Sequence, residues 1–297
     1  MLIDTHCHLT SAGLVERIDA VLGAAWAAGV TRIIQVAVNL DDARSALNLM
    51  NRRRAEPSPE LFLVAGIHPH EAGTATAESL AELRAILGVA QPQLQRIVGV
   101  GETGLDFHYD FAPRERQEEV FRQHIQLAQD LNLPVVIHSR ESEVRVCEIL
   151  AEYPALARDG GRVVFHCFSG DVDIARRALD LGCYLSFTGV VTFKKASPIQ
   201  AAAQFAPSDR IMIETDAPWL SPEPLRKIRP NEPALLVHTA RFLARLCGVS
   251  FEALTATTTA NAVRFFGLPE QPAPGVVVEP SARGRAATTS DVPEESA

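Results

Sequence analysis

Cysteine is scarce in this chain and poorly arranged for cross-linking. The five residues, Cys7, Cys147, Cys167, Cys183 and Cys247, are odd in number, and no two stand in a Cys-x-x-Cys pair. A disulfide-stapled secreted scaffold is thereby excluded. Free thiols in a reducing compartment fit better, each a small buried hydrophobe, and a cytoplasmic location is expected. Basic charge is also short, with 28 Lys and Arg against 36 Asp and Glu, a net charge of −8. A protein that coats duplex nucleic acid needs a broad basic face. An enzyme that holds a strand end in a metal-lined pocket does not. No apolar stretch approaches the roughly 20 residues of a membrane span. The N-terminal "MLIDTHCHLT" has neither the basic start nor the apolar core of a signal peptide, so no membrane association is expected. No internal repeat and no exposed apolar stripe are evident, and a monomer is expected.

What is present is the pattern of a folded α/β chain. Its 297 residues are 47% hydrophobic and 22% charged, enough to bury a large core. Strands are expected at Met1–Asp4, Thr31–Ala37, Leu61–Gly66, Arg96–Gly101, Pro134–His138, Arg162–His166, Cys183–Phe187 and Arg210–Glu214. Runs such as "RIIQVAV" and "PVVIH" are continuously apolar, as in parallel strands buried on both faces. Helical spacing separates them. Leu14, Ile18, Val21 and Ala25 form one such row, ended by Gly29. Phe121, Ile125, Ala128 and Leu131 form another after Pro113. Further helices are expected near 41–54, 78–88, 140–152, 171–180, 198–205, 233–247 and 250–265. Strict alternation predicts a parallel sheet, and eight strand–helix units predict a single (β/α)8 TIM barrel over residues 1–268. An open doubly wound sheet is the alternative. From Gln271 to Ala297 the composition turns to Pro, Ala, Ser and Thr without periodicity, and a disordered tail is expected.

Position makes the polar residues informative. His6 and His8 close the first expected strand, His68 follows the third and Glu102 the fourth. His138 ends the fifth, His166 the sixth, and Asp216 follows the eighth. On a parallel barrel these strand ends share one face, the face that carries active sites. Residues two apart on a strand point the same way, so "HCH" aims both imidazoles into the barrel mouth and turns Cys7 toward the helices. Four histidines and two carboxylates exceed one tetrahedral site. They suit a pair of divalent cations bridged by a carboxylate.

The stretch "GVGETGLD", Gly99–Asp106, matches the dinucleotide-binding pattern GxGxxG. That motif requires a helix to start at the glycines, so that its first amides meet a pyrophosphate. Here "LDFHYDFAP" follows, and no helix starts before Pro113. The glycines are read as sites of close backbone approach and a sharp turn. Glu102 is then the functional residue.

"IDTHCHL", "GIHPH", "GETGLDF", "PVVIHSR", "HCFSG" and "IETDAPWL…RPNEP" follow one another in order. Over residues 1–267 this series resembles the TatD-type metal-dependent deoxyribonucleases of the amidohydrolase superfamily. The resemblance implies a TIM barrel with a divalent metal centre (two ions, Mg, Mn or Zn) and phosphodiester hydrolysis. A 3′→5′ exonuclease acting on the 3′ end of single-stranded DNA or RNA is implied as the activity. By the same resemblance His6, His8, Asp216 and Glu102 hold one metal, and Glu102 bridges to a second held by His138 and His166. Asp216 is placed to take a proton from the attacking water. His68 and Arg140 are placed near a substrate phosphate, Glu214 behind the ligands or in the barrel core, and His108 on the surface. Asn231 and Glu232 order the loop after the eighth strand. In "FKK", Phe193 could stack a base and Lys194 hold a phosphate, or the loop is simply solvated.

Two rival readings remain open. Barrels of this superfamily also hydrolyse amides and esters, and some relatives resemble aminoacyl-tRNA deacylases. Many such enzymes bridge their metals with a carbamylated lysine. No lysine follows any of the first six strands here, and Glu102 takes that place, which favours the nuclease-like branch. A non-catalytic metal-binding scaffold is the third reading.

Overall fold

A computed structural model describes residues 1–52, 56–88, 96–157 and 161–269. Arg53 and Arg54 and the tail from Gln271 lie outside the described residues. Eight strands pair in sequence order, each parallel to the next: β1 (Leu2–Cys7), β2 (Val30–Ala37), β3 (Glu60–Ala65), β4 (Ile97–Asp106), β5 (Val135–Arg140), β6 (Val163–Phe165), β7 (Tyr184–Phe187) and β8 (Ile211–Ile213). A Cys7–Ala217 bridge closes the ring. His8 N–H donates to Ala217 O at 2.8 Å, and Asp216 N–H to His6 O at 2.9 Å. The candidate ligands of the first and last strands thus form the seam of the barrel.

The helices are α1 (Ile18–Ala27), α2 (Leu40–Asn51), α3 (Ala77–Leu87), α4 (Arg114–Leu131), α5 (Glu143–Ala151), α6 (Val172–Asp180), α7 (Ser197–Phe205), α8 (Leu236–Leu246) and α9 (Phe251–Phe266). Local chemistry fixes their ends. Asn39, Asp171 and Ser250 cap α2, α6 and α9 by accepting backbone N–H groups. Asn132 and Gly267 end α4 and α9 in the left-handed conformation. The helix expected from residue 140 starts only at Glu143, because β5 continues to Arg140 and Glu141 then turns at φ 55°.

Two apolar layers follow from strand alternation. Ile33, Leu63, Val135, Ile137 and Leu185 face the helices. Ile3, Ile34, Val36, Phe62, Val64, Val136, Val164 and Met212 fill the barrel, together with Ala262, Phe265, Phe266 and Leu268 from the end of α9. That second helix after β8 plugs the barrel at the end opposite the strand C-termini, leaving open the mouth that carries the candidate ligands. No single helix among the described residues is long and apolar enough to cross a membrane.

Three strands, β1, β2 and β4, carry an extra residue in their pairing, and two of them, β1 and β4, bear candidate ligands. Ile3 lies inside the barrel and Cys7 against the helices, although four residues apart. Between Asp4 and Cys7, β1 has one more residue than the facing part of β2. Between Val100 and Thr103, β4 likewise gains one on β5. Such bulges re-aim side chains and gather near active sites.

The glycines of "GVGETGLD" lie within a continuous β4, not at a sharp turn, and Glu102 sits inside that strand rather than after it. Close approach is the right reason for them. At Gly101 and Gly104, φ is +139° and +137°, and an added Cβ would lie 2.4 Å from Val136 O and 2.1 Å from His138 O. No helix begins at these glycines, so the dinucleotide pattern is accidental.

His124, fully buried on α4, joins that helix to the end of β3. Its Nδ1–H donates to Val120 O at 2.7 Å, and its Nε2 accepts Ile67 N–H at 3.0 Å. Burial pushes its pKa down to about 4. The unfolded value lies near 6.5. The stabilisation is therefore complete above pH 6.5 and lost as pH falls toward 4, a change of about 3 kcal/mol. His124→Gln keeps a hydrogen-bond acceptor but does not titrate. Urea unfolding of metal-stripped protein at pH 7 and pH 4.5 should show a smaller acid loss in this variant. An equal loss in both proteins would remove His124 as its source.

Candidate metal centre

Glu102 is 3% exposed and stands among five imidazoles. Its two oxygens divide them. Oε2 faces His6 Nε2 at 3.3 Å and His8 Nε2 at 3.8 Å. Oε1 faces His138 Nδ1 and His166 Nε2, both at 2.8 Å, and His68 Nε2 at 3.4 Å. Asp216 Oδ1 completes the first group, 3.4 Å from His8 Nε2 and 3.8 Å from His6 Nε2. Three sets of donor atoms each lie within 4.8 Å of one another: His6–His8–Asp216, His6–Glu102–His166 and His68–Glu102–His138. The six expected ligands therefore meet, although they come from β1, β4, β5 and the ends of β6 and β8.

The hydrogen-bond partners set the imidazole tautomers. His8 Nδ1–H donates to Val36 O at 3.1 Å, which leaves Nε2 as a lone pair aimed at the centre. His166 Nδ1–H donates to Glu214 Oε1 at 3.2 Å, and its Nε2 faces Glu102 Oε1 at 2.8 Å. Burial opposes the charged ring, but these carboxylates raise its pKa, so a metal ion would take the place of the Nε2 proton. His6 Nε2 and His8 Nε2 approach to 3.1 Å. His6 Nδ1 is buried without a hydrogen-bond partner. Such an orphan is uncommon in a protein interior. Nitrogen lone pairs converging with two carboxylates form a donor set that fits divalent transition-metal ions. Histidines that pass their second nitrogen to a carbonyl or carboxylate are the usual support of such a set.

The charge state agrees. Burial opposes ionisation of Glu102, yet His166, His68 and His138 hold its carboxyl well below the usual range. Burial opposes Asp216 too, and His8, His166 and His6 reverse it, so Asp216 is also held ionised. Burial opposes charge on all five imidazoles. The carboxylates outweigh it and raise the pKa of His8, His138 and His166, whereas burial lowers that of His6 and of His68. At His68 burial outweighs Glu102 and pushes the pKa down to about 4. Its Nδ1 accepts His70 N–H at 3.1 Å. The neutral ring therefore carries its proton on Nε2 and is a donor, not a lone-pair ligand.

Behind this shell, Glu214 is buried where the barrel core meets the site. It accepts from Cys167 N–H at 2.6 Å and from Ser186 Oγ at 2.5 Å, besides His166. Asn231 spans the loop after β8, donating from Nδ2 to Thr215 O and Trp219 O. Glu232 pairs with Arg17. His108 is on the surface, paired with Glu141.

Sequence spacing alone does not single out Asp106 and His70, but the structure does. Asp106, at the end of β4, accepts at Oδ2 from His70 Nε2 at 2.8 Å and from His138 Nε2 at 3.1 Å. It fixes His138 with Nδ1 toward Glu102. Two signals were available. Asp106 stands an even number of residues after Glu102, and His70 repeats in "HPH" the spacing of "HCH".

The site opens into a cleft of about 630 Å³ walled by His70, Tyr109, Arg140, Cys167, Val190 and Trp219, among others. The Arg140 guanidinium lies 4.8 Å from the Tyr109 ring centroid and makes no salt bridge to the next helix. The Cys167 thiol is pushed up to about 12 by burial and stays protonated. Lys194 is exposed and lies beyond the cleft wall. Phe193 is half-buried, and Arg226 covers it 4.0 Å from the ring centroid, so that face cannot stack a base.

A family profile described as "TatD related DNase" matches residues 3–267. An uncharacterized metal-dependent hydrolase of Bacillus subtilis, YabD, is 36% identical over 266 residues, which is 90% of this chain and 99% of that protein. The "3'-5' ssDNA/RNA exonuclease TatD" of Cronobacter sakazakii is 35% identical over 269 residues, 89% of this chain and 97% of its own length. The crystal structure of YJJV, a TatD homologue of Escherichia coli, superposes with a TM-score of 0.81 at 28% identity, covering 90% of this chain and 98% of that one. The chain belongs to the TatD-related DNase family of metal-dependent hydrolases.

Proposed function

We propose that this protein shortens single-stranded nucleic acid from its 3′ end by phosphodiester hydrolysis at a centre of two divalent metal ions. The observation that carries the reading is the division of Glu102, with one oxygen toward His6 and His8 and the other toward His138 and His166. A carboxylate so placed suits a bridge between two cations. The Cronobacter relative, named for 3′–5′ exonuclease action on single-stranded DNA and RNA, supports the substrate class.

His6, His8 and Asp216 would hold one ion and His138 and His166 the other, with Glu102 shared. Such ions lower the pKa of bound water and offset charge on a phosphoryl group. The protein's own groups do the rest. Asp216, ionised and at the cleft, accepts the proton that the attacking water gives up. His68 donates its Nε2–H to a non-bridging phosphate oxygen, the Arg140 guanidinium donates to the same group, and together they stabilise charge that grows in the transition state. Lys194 meets a phosphate farther along the strand. Asp106 and Glu214 hold His138 and His166 in their tautomers and so preserve the donor set.

Metal removal tests the reading. Chelated protein should leave 5′-labelled single-stranded DNA intact, and Mg, Mn or Zn should restore a ladder that shortens from the 3′ end. Intact DNA in the presence of protein with two bound metals would overturn it and direct attention to esters, amides and aminoacyl-tRNA.

A further inference from the structure

The chain has only three lysines, Lys194, Lys195 and Lys227, and all lie on two neighbouring loops. Lys194 and Lys195 stand between the 3-10 turn Gly189–Thr192 and α7. Lys227, flanked by Arg226 and Arg229, lies on the long segment from β8 to α8. The two loops are locked together. Glu223 N–H donates to Thr192 Oγ1 at 2.8 Å, and Arg226 covers Phe193. An added Cβ on Gly189 would lie 2.2 Å from Leu220 O, so the backbones touch. Ser221 Oγ donates to Ile228 O at 2.6 Å and folds the basic stretch back beside Leu220. Val190, Trp219 and Leu220 of these same loops wall the cleft. The cations therefore border the mouth of the site.

All five, Lys194, Lys195, Arg226, Lys227 and Arg229, are exposed. Among the described residues none of them forms an ion pair. Several arginines elsewhere do. Arg44 pairs with Asp41 and Glu82, Arg122 with Glu152, and Arg145 with Glu118 and Glu148. A solvated surface kept only for solubility would scatter its charge over a chain of net −8. Here like charges gather at one edge of a cleft, where they repel one another and draw in a polyanion.

We infer that these loops form a basic ridge for the sugar–phosphate backbone of the substrate strand, on the 5′ side of the scissile bond and outside the metal centre. The inference rests on the proposed nuclease reading and deepens it. Lysine meets phosphate as a point charge without reading a base, so the ridge selects for strand length, not sequence. A strand too short to leave the cleft gains nothing from it.

The test uses fluorescence anisotropy of a labelled single strand of about 12 nucleotides. It binds full-length Glu102→Gln protein, which does not consume it, with and without Lys194→Gln, Lys195→Gln and Lys227→Gln, over a range of salt. Loss of three phosphate contacts should weaken binding about tenfold at low salt and cut the slope of log Kd against log salt by about 2, at roughly 0.7 per phosphate. With metal and active Glu102, kcat/KM for the long strand should fall relative to that for a small phosphodiester. An unshifted melting temperature shows that the lysine variants are folded. Equal affinity and slope with and without the lysines would overturn the ridge, as would no binding to the parent at low salt. Lysine-dependent binding of a strand that the active, metal-loaded protein never cuts would keep the ridge and overturn the nuclease reading.

Discussion

Glu102→Gln is expected to lower phosphodiester turnover by about 10³-fold or more, ~4 kcal/mol in the barrier. The substitution keeps the size of a side chain that is 3% exposed. It removes the negative charge that faces five imidazoles, and it turns one oxygen into an N–H donor. Whichever way the amide turns, either the His6–His8 side or the His138–His166 side loses its oxygen ligand. Metal content per chain and kcat should therefore fall together, and added metal should restore only part of the rate. A variant that binds the wild-type amount of metal and turns over normally would show that Glu102 is not part of the centre.

Much of the fold was legible because two signals agreed. Continuous β-branched runs such as that of β2 marked buried parallel strands, and rows such as Phe121–Leu131 marked the helices between them. The convergence of the candidate ligands was legible because they stand at strand ends, where a parallel barrel gathers distant residues on one face. The bulges were not. Alternation predicts the direction of a side chain only while the register holds, and an extra residue in β1 and in β4 breaks it. "HCH" still reads correctly, because His6 and His8 point the same way with their Nε2 atoms 3.1 Å apart although His6 lies within the bulge, but Glu102 could not be placed within its strand.

The ends of elements depended on tertiary contacts. β5 runs on to Arg140 because β4, through Asp106, pairs beside it. α9 becomes a barrel plug because Phe265 and Phe266 meet an interior that only the closed ring creates. Asp106 was obscured for a related reason. Its role lies in sharing one oxygen between His70 and His138, and that contact joins three separate strand ends. The basic ridge likewise exists only because the loop after β7 and the loop after β8 interlock.

Asp216→Asn is expected to lower kcat by about 10²- to 10⁴-fold, the usual contribution of a positioned general base, while most of the metal stays bound. Asparagine suits this test because of the backbone. Asp216 has φ 54°, a left-handed conformation that Asn and Asp adopt more readily than most residues. The hydrogen bonds that Asp216 N–H makes to His6 O, and that Trp219 N–H makes to Asp216 O, should survive. An alanine would disturb that seam as well as the chemistry. The Asn oxygen can still ligate beside His6 and His8, but the side chain can no longer take up a proton. Near-wild-type metal content with a collapsed kcat separates the proton-accepting role from ligation. If metal and rate are lost in equal measure, Asp216 acts as a ligand alone. A near-normal kcat at full metal content would assign the proton to another acceptor in the cleft.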